Sequence, residues 1–142
     1  MASQNKLDKT YMRMAEELSK LSYAQRKKVG CLVVKDTQII SEGYNGTPKG
    51  FDNTCEYVNY VDEMYTKSEV LHAESNAITK IARSTNSSDG ATLYCTLAPC
   101  FECSKLIIQS GIERVVYRDM YAKNGLALLD KAGVNVIQLK EN

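Results

Sequence analysis

The residues best suited to chemistry are few and grouped. His72 stands two positions before Glu74, and Pro99 directly precedes the C-x-x-C pair Cys100 and Cys103. Cysteines three apart at a helix start project to one side, so both sulfurs can reach one ion at the ~2.3 Å typical of zinc and thiolate. The partly positive end of a helix also favours thiolate over thiol. His72 is the one histidine in 142 residues, so any histidine chemistry must use it. One His and two Cys make three protein ligands, the count that leaves a tetrahedral zinc an open position for water; four would indicate a structural site. Neutral imidazole and two thiolates cancel the charge of the ion, making it a weaker Lewis acid than zinc held by three histidines. Such a site needs a nearby base. Glu74 is placed to take a proton from water and return it to a substrate. Taken singly, the C-x-x-C pair could be redox-active or fortuitous, and a lone histidine usually packs or faces solvent. The conjunction of H-x-E before a helix and P-C-x-x-C after the next strand points to catalysis.

Those residues need elements to hold them. Tyr11, Met14, Ala15, Leu18 and Leu21 recur at three- and four-residue steps, predicting an amphipathic helix over residues 5–21. The basic run Arg26, Lys27, Lys28 follows. Residues 29–34 and 38–42 read as an antiparallel hairpin, and Gly43, Gly46, Pro48 and Gly50 then break regular structure. Residues 44–69 have no clear period; their aromatics Phe51, Tyr57, Tyr60 and Tyr65 indicate a flap over 51–70 or a contact surface. A second helix is expected over 71–83, ended by the turn-rich STNSSDG run at 84–90. Strand 91–96, helix 101–109, strand 113–117, helix 124–132 and strand 134–139 then alternate. Gly111 and Gly133 stand where helix ends need left-handed backbone. The pattern predicts about five strands, antiparallel in the first hairpin and parallel after it, with helices covering the sheet.

Composition narrows the function further. Eighteen Lys and Arg against 17 Asp and Glu give a net charge of +1, without the broad basic excess of a nucleic-acid binder. No apolar run approaches 18 residues, and seven charges in the first twenty suit neither a signal peptide nor a membrane span. The expectation is a soluble, intracellular, cytoplasmic protein with reduced cysteines and neither nucleic-acid nor membrane partners. Cys31 and Cys95 lie in buried-strand patterns and are expected simply to pack.

From about Lys28 to Gly133 the sequence resembles the deoxycytidylate (dCMP) deaminases, and its H-x-E and P-C-x-x-C motifs are those of the zinc nucleobase deaminases. The matching stretches are KVGC at 28–31, EGYNGTP at 42–48, HAESNAI at 72–78, TLAPCFECSKLIIQS at 96–110 and VVYRDMY at 115–121. The GYNG segment and the CSKLIIQSGI helix carry the resemblance to this family in particular. It implies one domain over 1–142 with the cytidine deaminase-like α/β fold, a three-layer α/β/α arrangement around a five-stranded mixed sheet.

The implied reaction is zinc-dependent hydrolysis of dCMP to dUMP and ammonia, supplying dUMP for thymidylate synthesis. Water held by zinc would add at C4 of the cytosine while Glu74 moves protons to N3 and to the departing amino group. His72, Cys100 and Cys103 would hold one zinc per chain. Backbone groups at Ala73, Ala98 and Cys100 would hold the base edge. Asn45 would bind the deoxyribose hydroxyl; as a residue before Gly46, its plain alternative is a turn role. Arg26 and Lys28 would meet the phosphate, against a solvent-facing role at a helix end. Tyr121 would touch phosphate or sugar, or pack. The family is commonly hexameric, activated by dCTP with Mg2+ and inhibited by dTTP, which implicates Gly43, Asn45, Gly46 and Arg83 in regulation. With no further histidine, a second His-rich zinc site is not expected. The competing functions are a dCTP deaminase, a tRNA-adenosine deaminase and a noncatalytic zinc-stabilised interaction module.

Overall fold

The computed structural model describes residues 2–140. Helix α1 (Gln4–Ser19) starts where Ser3 Oγ accepts the Lys6 N–H at 3.3 Å, and it buries Tyr11, Met12 and Ala15. Strands β1 (Gly30–Lys35) and β2 (Gln38–Tyr44) form the expected antiparallel hairpin. After the small strands β3 (Glu56–Val58) and β4 (Met64–Thr66) come α2 (Ala73–Ala82), β5 (Thr92–Leu97), α3 (Phe101–Gln109), β6 (Arg114–Asp119), α4 (Leu126–Lys131) and β7 (Asn135–Gln138).

The main sheet has five strands in the order β2-β1-β5-β6-β7. Its last two pairings, β5 with β6 and β6 with β7, are parallel as expected. The joint between the halves differs from the expected parallel continuation: β1 and β5 run antiparallel, with Cys31 opposite Cys95. The second helix begins at Ala73 instead of 71, because Leu71 is held in extended form by two backbone hydrogen bonds with Gly46. Residues 44–69 contain a regular element that their sequence hides. There β3 and β4 pair antiparallel, and the Tyr57 and Tyr65 rings stack 5.6 Å apart on an exposed face. With neither strand face buried in full, the alternation that marks a core strand is missing.

Side-chain alternation along the strands divides the core into two layers. Cys31, Val33, Leu93, Cys95 and Val115 pack beneath Ala77, Ile81, Ile107 and Leu129 of the three later helices. Leu32, Val34, Tyr94 and Val116 meet Tyr11 and Met12 of α1 on the opposite face. The result is the expected three-layer α/β/α arrangement. On the α1 side, Arg114 grips Asp8 with two hydrogen bonds of 2.9 and 2.6 Å, and Tyr94 Oη donates to the same carboxylate at 2.6 Å. Burial would raise the Asp8 pKa, but the Arg114, Tyr94 and Gln4 hydrogen bonds outweigh it and hold the carboxyl below the ordinary value. Gly111 and Gly133 take positive φ at the ends of α3 and α4, as their positions predict. Among the described residues, no helix is long and apolar enough to cross a membrane.

Candidate active site

Two helix starts, α2 and α3, meet on one face of the sheet. His72 is the N-cap residue of α2 and Glu74 lies in its first turn. Cys100 is the N-cap of α3, where its Sγ accepts the Cys103 N–H at 3.4 Å. This capping contact fixes the Cys100 sulfur at the helix start. His72 Nδ1 lies 3.4 Å from Cys100 Sγ and 3.3 Å from Cys103 Sγ, and all three donor atoms fall within 4.8 Å of one another. Among the described residues this is the one group of three or more His, Cys, Asp or Glu side chains able to hold a metal. One nitrogen and two sulfurs with no fourth protein donor match zinc in an open, catalytic coordination.

Electrostatics support that use. Hydrogen bonds from Cys103 and His72 draw the Cys100 thiol down to about 4, the thiolate form that a metal requires. Cys103, donating to that thiolate and buried, is shifted upward. The hydrogen bond to Cys100 raises His72 against partial desolvation of its ring. Glu74 is 4% exposed, and burial raises its carboxyl against the pull of its own backbone N–H and of His72. A carboxyl raised in this way is suited to accepting and returning protons.

A cavity of about 260 Å³ opens over this group. The lining residues at and beside the donor set, His72, Ala73, Glu74, Ala98 and Cys100, form its floor, and the remaining lining, the wall, includes Arg26, Lys27, Asn45, Glu56 and Tyr121. The volume lies just below the usual range for ligand pockets, which restricts the site to a small molecule. The N–H of Ala98 is taken by the Asp119 carbonyl at 2.8 Å, so its own carbonyl is the group left for a ligand. Asn45 is more than a turn residue. Its Oδ1 accepts the Val29 N–H at 2.9 Å and its Nδ2 donates to the Lys27 carbonyl at 2.7 Å, anchoring the irregular segment before β1.

Some expected residues lie elsewhere. Lys28 does not line the cavity, whereas its neighbour Lys27, whose carbonyl Asn45 holds, does; the irregular chain between α1 and β1 has no period that could tell the two apart. A second cavity of about 330 Å³ includes Asn45 and Gly46 together with Lys49, Asn76 and Lys80. Neither Gly43 nor Arg83 lines it. Gly43 is buried under α2, where a Cβ would lie 2.5 Å from the Ala73 carbonyl oxygen and 2.8 Å from the Ala77 nitrogen. Arg83 is exposed beyond the end of α2. Sequence reasoning missed Glu56 and Thr66, which reach the first cavity from β3 and β4. No local motif marks them, since their place depends on the hairpin folding back over 24–27.

A family model described as the cytidine and deoxycytidylate deaminase zinc-binding region matches residues 5–119. Among curated relatives, a deoxycytidylate deaminase of Saccharomyces cerevisiae is 35% identical over 92% of this chain, and one of Enterobacteria phage T4 is 33% identical over 92%. The chain spans 44% of the yeast relative and 88% of the phage one. A crystal structure of dCMP deaminase from the cyanophage S-TIM5, in complex with dCMP and dUMP, superimposes with a TM-score of 0.89. It is 41% identical, with 97% of this chain and 100% of that chain covered.

Proposed function

The chain belongs to the cytidine and deoxycytidylate deaminase zinc-binding family, and on that premise we propose that it hydrolyses dCMP to dUMP and ammonia. The observation that carries this is Glu74, buried beside a His/Cys/Cys donor set in a cavity that Arg26 and Lys27 also line. His72, Cys100 and Cys103 would hold zinc, which when bound supplies a Lewis acid that makes water acidic at neutral pH. Glu74 takes the proton of the attacking water and delivers it to N3 of the cytosine as the water oxygen bonds to C4. The carboxyl then passes the second water proton to the departing amino group. The C4–N bond breaks, ammonia leaves, and the added oxygen becomes the C4 carbonyl of uracil. The carbonyl of Ala98 faces the base edge, Asn45 and Tyr121 the sugar side, and Arg26 with Lys27 the phosphate.

Two finer features complete the proposal. The chain assembles as a hexamer, and dCTP with Mg2+ activates it while dTTP inhibits it. The cavity containing Asn45, Gly46, Lys49 and Lys80 offers cationic and amide groups to such a nucleotide beside the loop shared with the active site. Rates on dCMP, deoxycytidine and dCTP measured side by side test the reaction. dCMP should be the best substrate with about one zinc per chain; equal rates on dCMP and deoxycytidine would refute the phosphate assignment, and no deamination of any would refute the function. Added dCTP or dTTP at subsaturating dCMP, and the mass in solution, check the regulatory and hexamer assignments.

A further inference from the structure

Glu56 is the least expected residue in the cavity: a buried carboxylate, 7% exposed, on the wall assigned to an anionic phosphate. Its contacts explain the placement. Glu56 Oε2 accepts the backbone N–H of Gln25 at 2.8 Å and that of Arg26 at 3.0 Å. Directly across the hairpin from Glu56 is Thr66, whose Oγ1 accepts from Arg26 Nη1 at 3.3 Å. The irregular segment 24–28 is thus held at both ends: Asn45 takes the Lys27 carbonyl and the Val29 N–H, and the hairpin takes the Gln25 and Arg26 N–H groups together with the Arg26 guanidinium.

We propose that Glu56 is a positioning residue for substrate phosphate, fixing the Gln25–Arg26 backbone so that the Arg26 guanidinium faces the ligand. This rests on the assignment of dCMP as substrate. A carboxylate beside a phosphate site would ordinarily repel its ligand. Here its charge is directed into two N–H donors, and its effect on the anion passes through the arginine that those donors carry. Phosphate selectivity is therefore distributed between the segment before β1 and a hairpin some 30 residues later, as the separations of 31 and 30 in these hydrogen bonds show.

The test compares dCMP with deoxycytidine in the zinc-loaded enzyme. Glu56→Ala leaves two N–H groups without their acceptor. It should raise KM for dCMP about tenfold with little change in kcat, and lower kcat/KM for deoxycytidine far less. Glu56→Gln keeps an acceptor oxygen and should restore most of the dCMP affinity, whereas Glu56→Asp, which withdraws the oxygen by one methylene, should resemble Ala. In an Arg26→Ala background, Glu56→Asp should add little further loss. Parallel losses on both substrates, an unchanged KM for dCMP in the Asp variant, or additive losses with Arg26→Ala would each overturn the proposal. Absence of wild-type activity on dCMP would instead remove the substrate assignment on which it rests.

Discussion

The floor and the wall of the active-site cavity are built by different means. The floor is made by two helix N-termini seated on a packed sheet, with Ala73 and Cys103 both buried, and its donor set is closed by contacts of 3.3 and 3.4 Å. The wall is an irregular segment and a short exposed hairpin, joined by side chains hydrogen-bonding to distant backbone groups. On the proposed function, the floor would hold what the chemistry at the base requires, and the wall what would tell one substrate from another. This division follows from physics: a proton-transfer group tolerates little displacement, whereas recognition of a phosphate can be adjusted by turns and loops.

Several measurements can break or sharpen this contrast. The largest effect is expected on the floor. Glu74→Gln should lower kcat on dCMP by about 10³-fold while zinc content stays near that of the wild type, as read by metal analysis with an absorbance assay. His72→Ala should lose metal and turnover together. Substantial turnover by the Gln variant would remove Glu74 from the mechanism.

Next comes the support behind the floor. Asp8→Asn should cost about 3 kcal/mol in urea denaturation at pH 7, because Arg114 and Tyr94 lose a shared anionic partner. The sign with pH follows from the direction of the shift. The folded carboxyl is held below its ordinary value, so its stabilisation is present above the ordinary pKa of about 3.9 and is lost as pH falls through the lower folded value. The difference between wild type and variant should therefore shrink in acid; a gap as large at pH 2 as at pH 7 would contradict the ion-pair account.

The smallest effect is expected at the hairpin tip. Tyr60 is 98% exposed, and Tyr60→Ser should change stability by no more than about 0.5 kcal/mol and leave dCMP kinetics unaltered. A marked loss of activity would extend the working part of the wall to that tip.

The same contrast governs how much could be read from the sequence. His72, Glu74, Cys100 and Cys103 were legible because their spacing is local to two helix starts, and the alternation of strand 91–96 with its neighbours revealed the parallel half of the sheet. The antiparallel joint between β1 and β5 was not legible, since no residue pattern within either strand specifies its partner's direction. Lys27 and Lys28 are equal in chemistry, and only the turn imposed by Asn45 and Glu56 selects between them. Glu56 and Thr66 belong to strands whose exposed faces carry no periodic signal, and their value arises from contacts across 30 and 40 residues of chain.

Gly43 links sheet and chemistry in another way. Because the first turn of α2 rests against the bare Cα of this residue, a methyl group there would lift His72 and Glu74 together as one rigid piece. Position 43 therefore works as a spacer gauge between β2 and the active site. Side chains of graded size at this position should weaken metal retention and turnover in step, the signature of a displaced scaffold, in contrast to Glu74→Gln, which should separate the two.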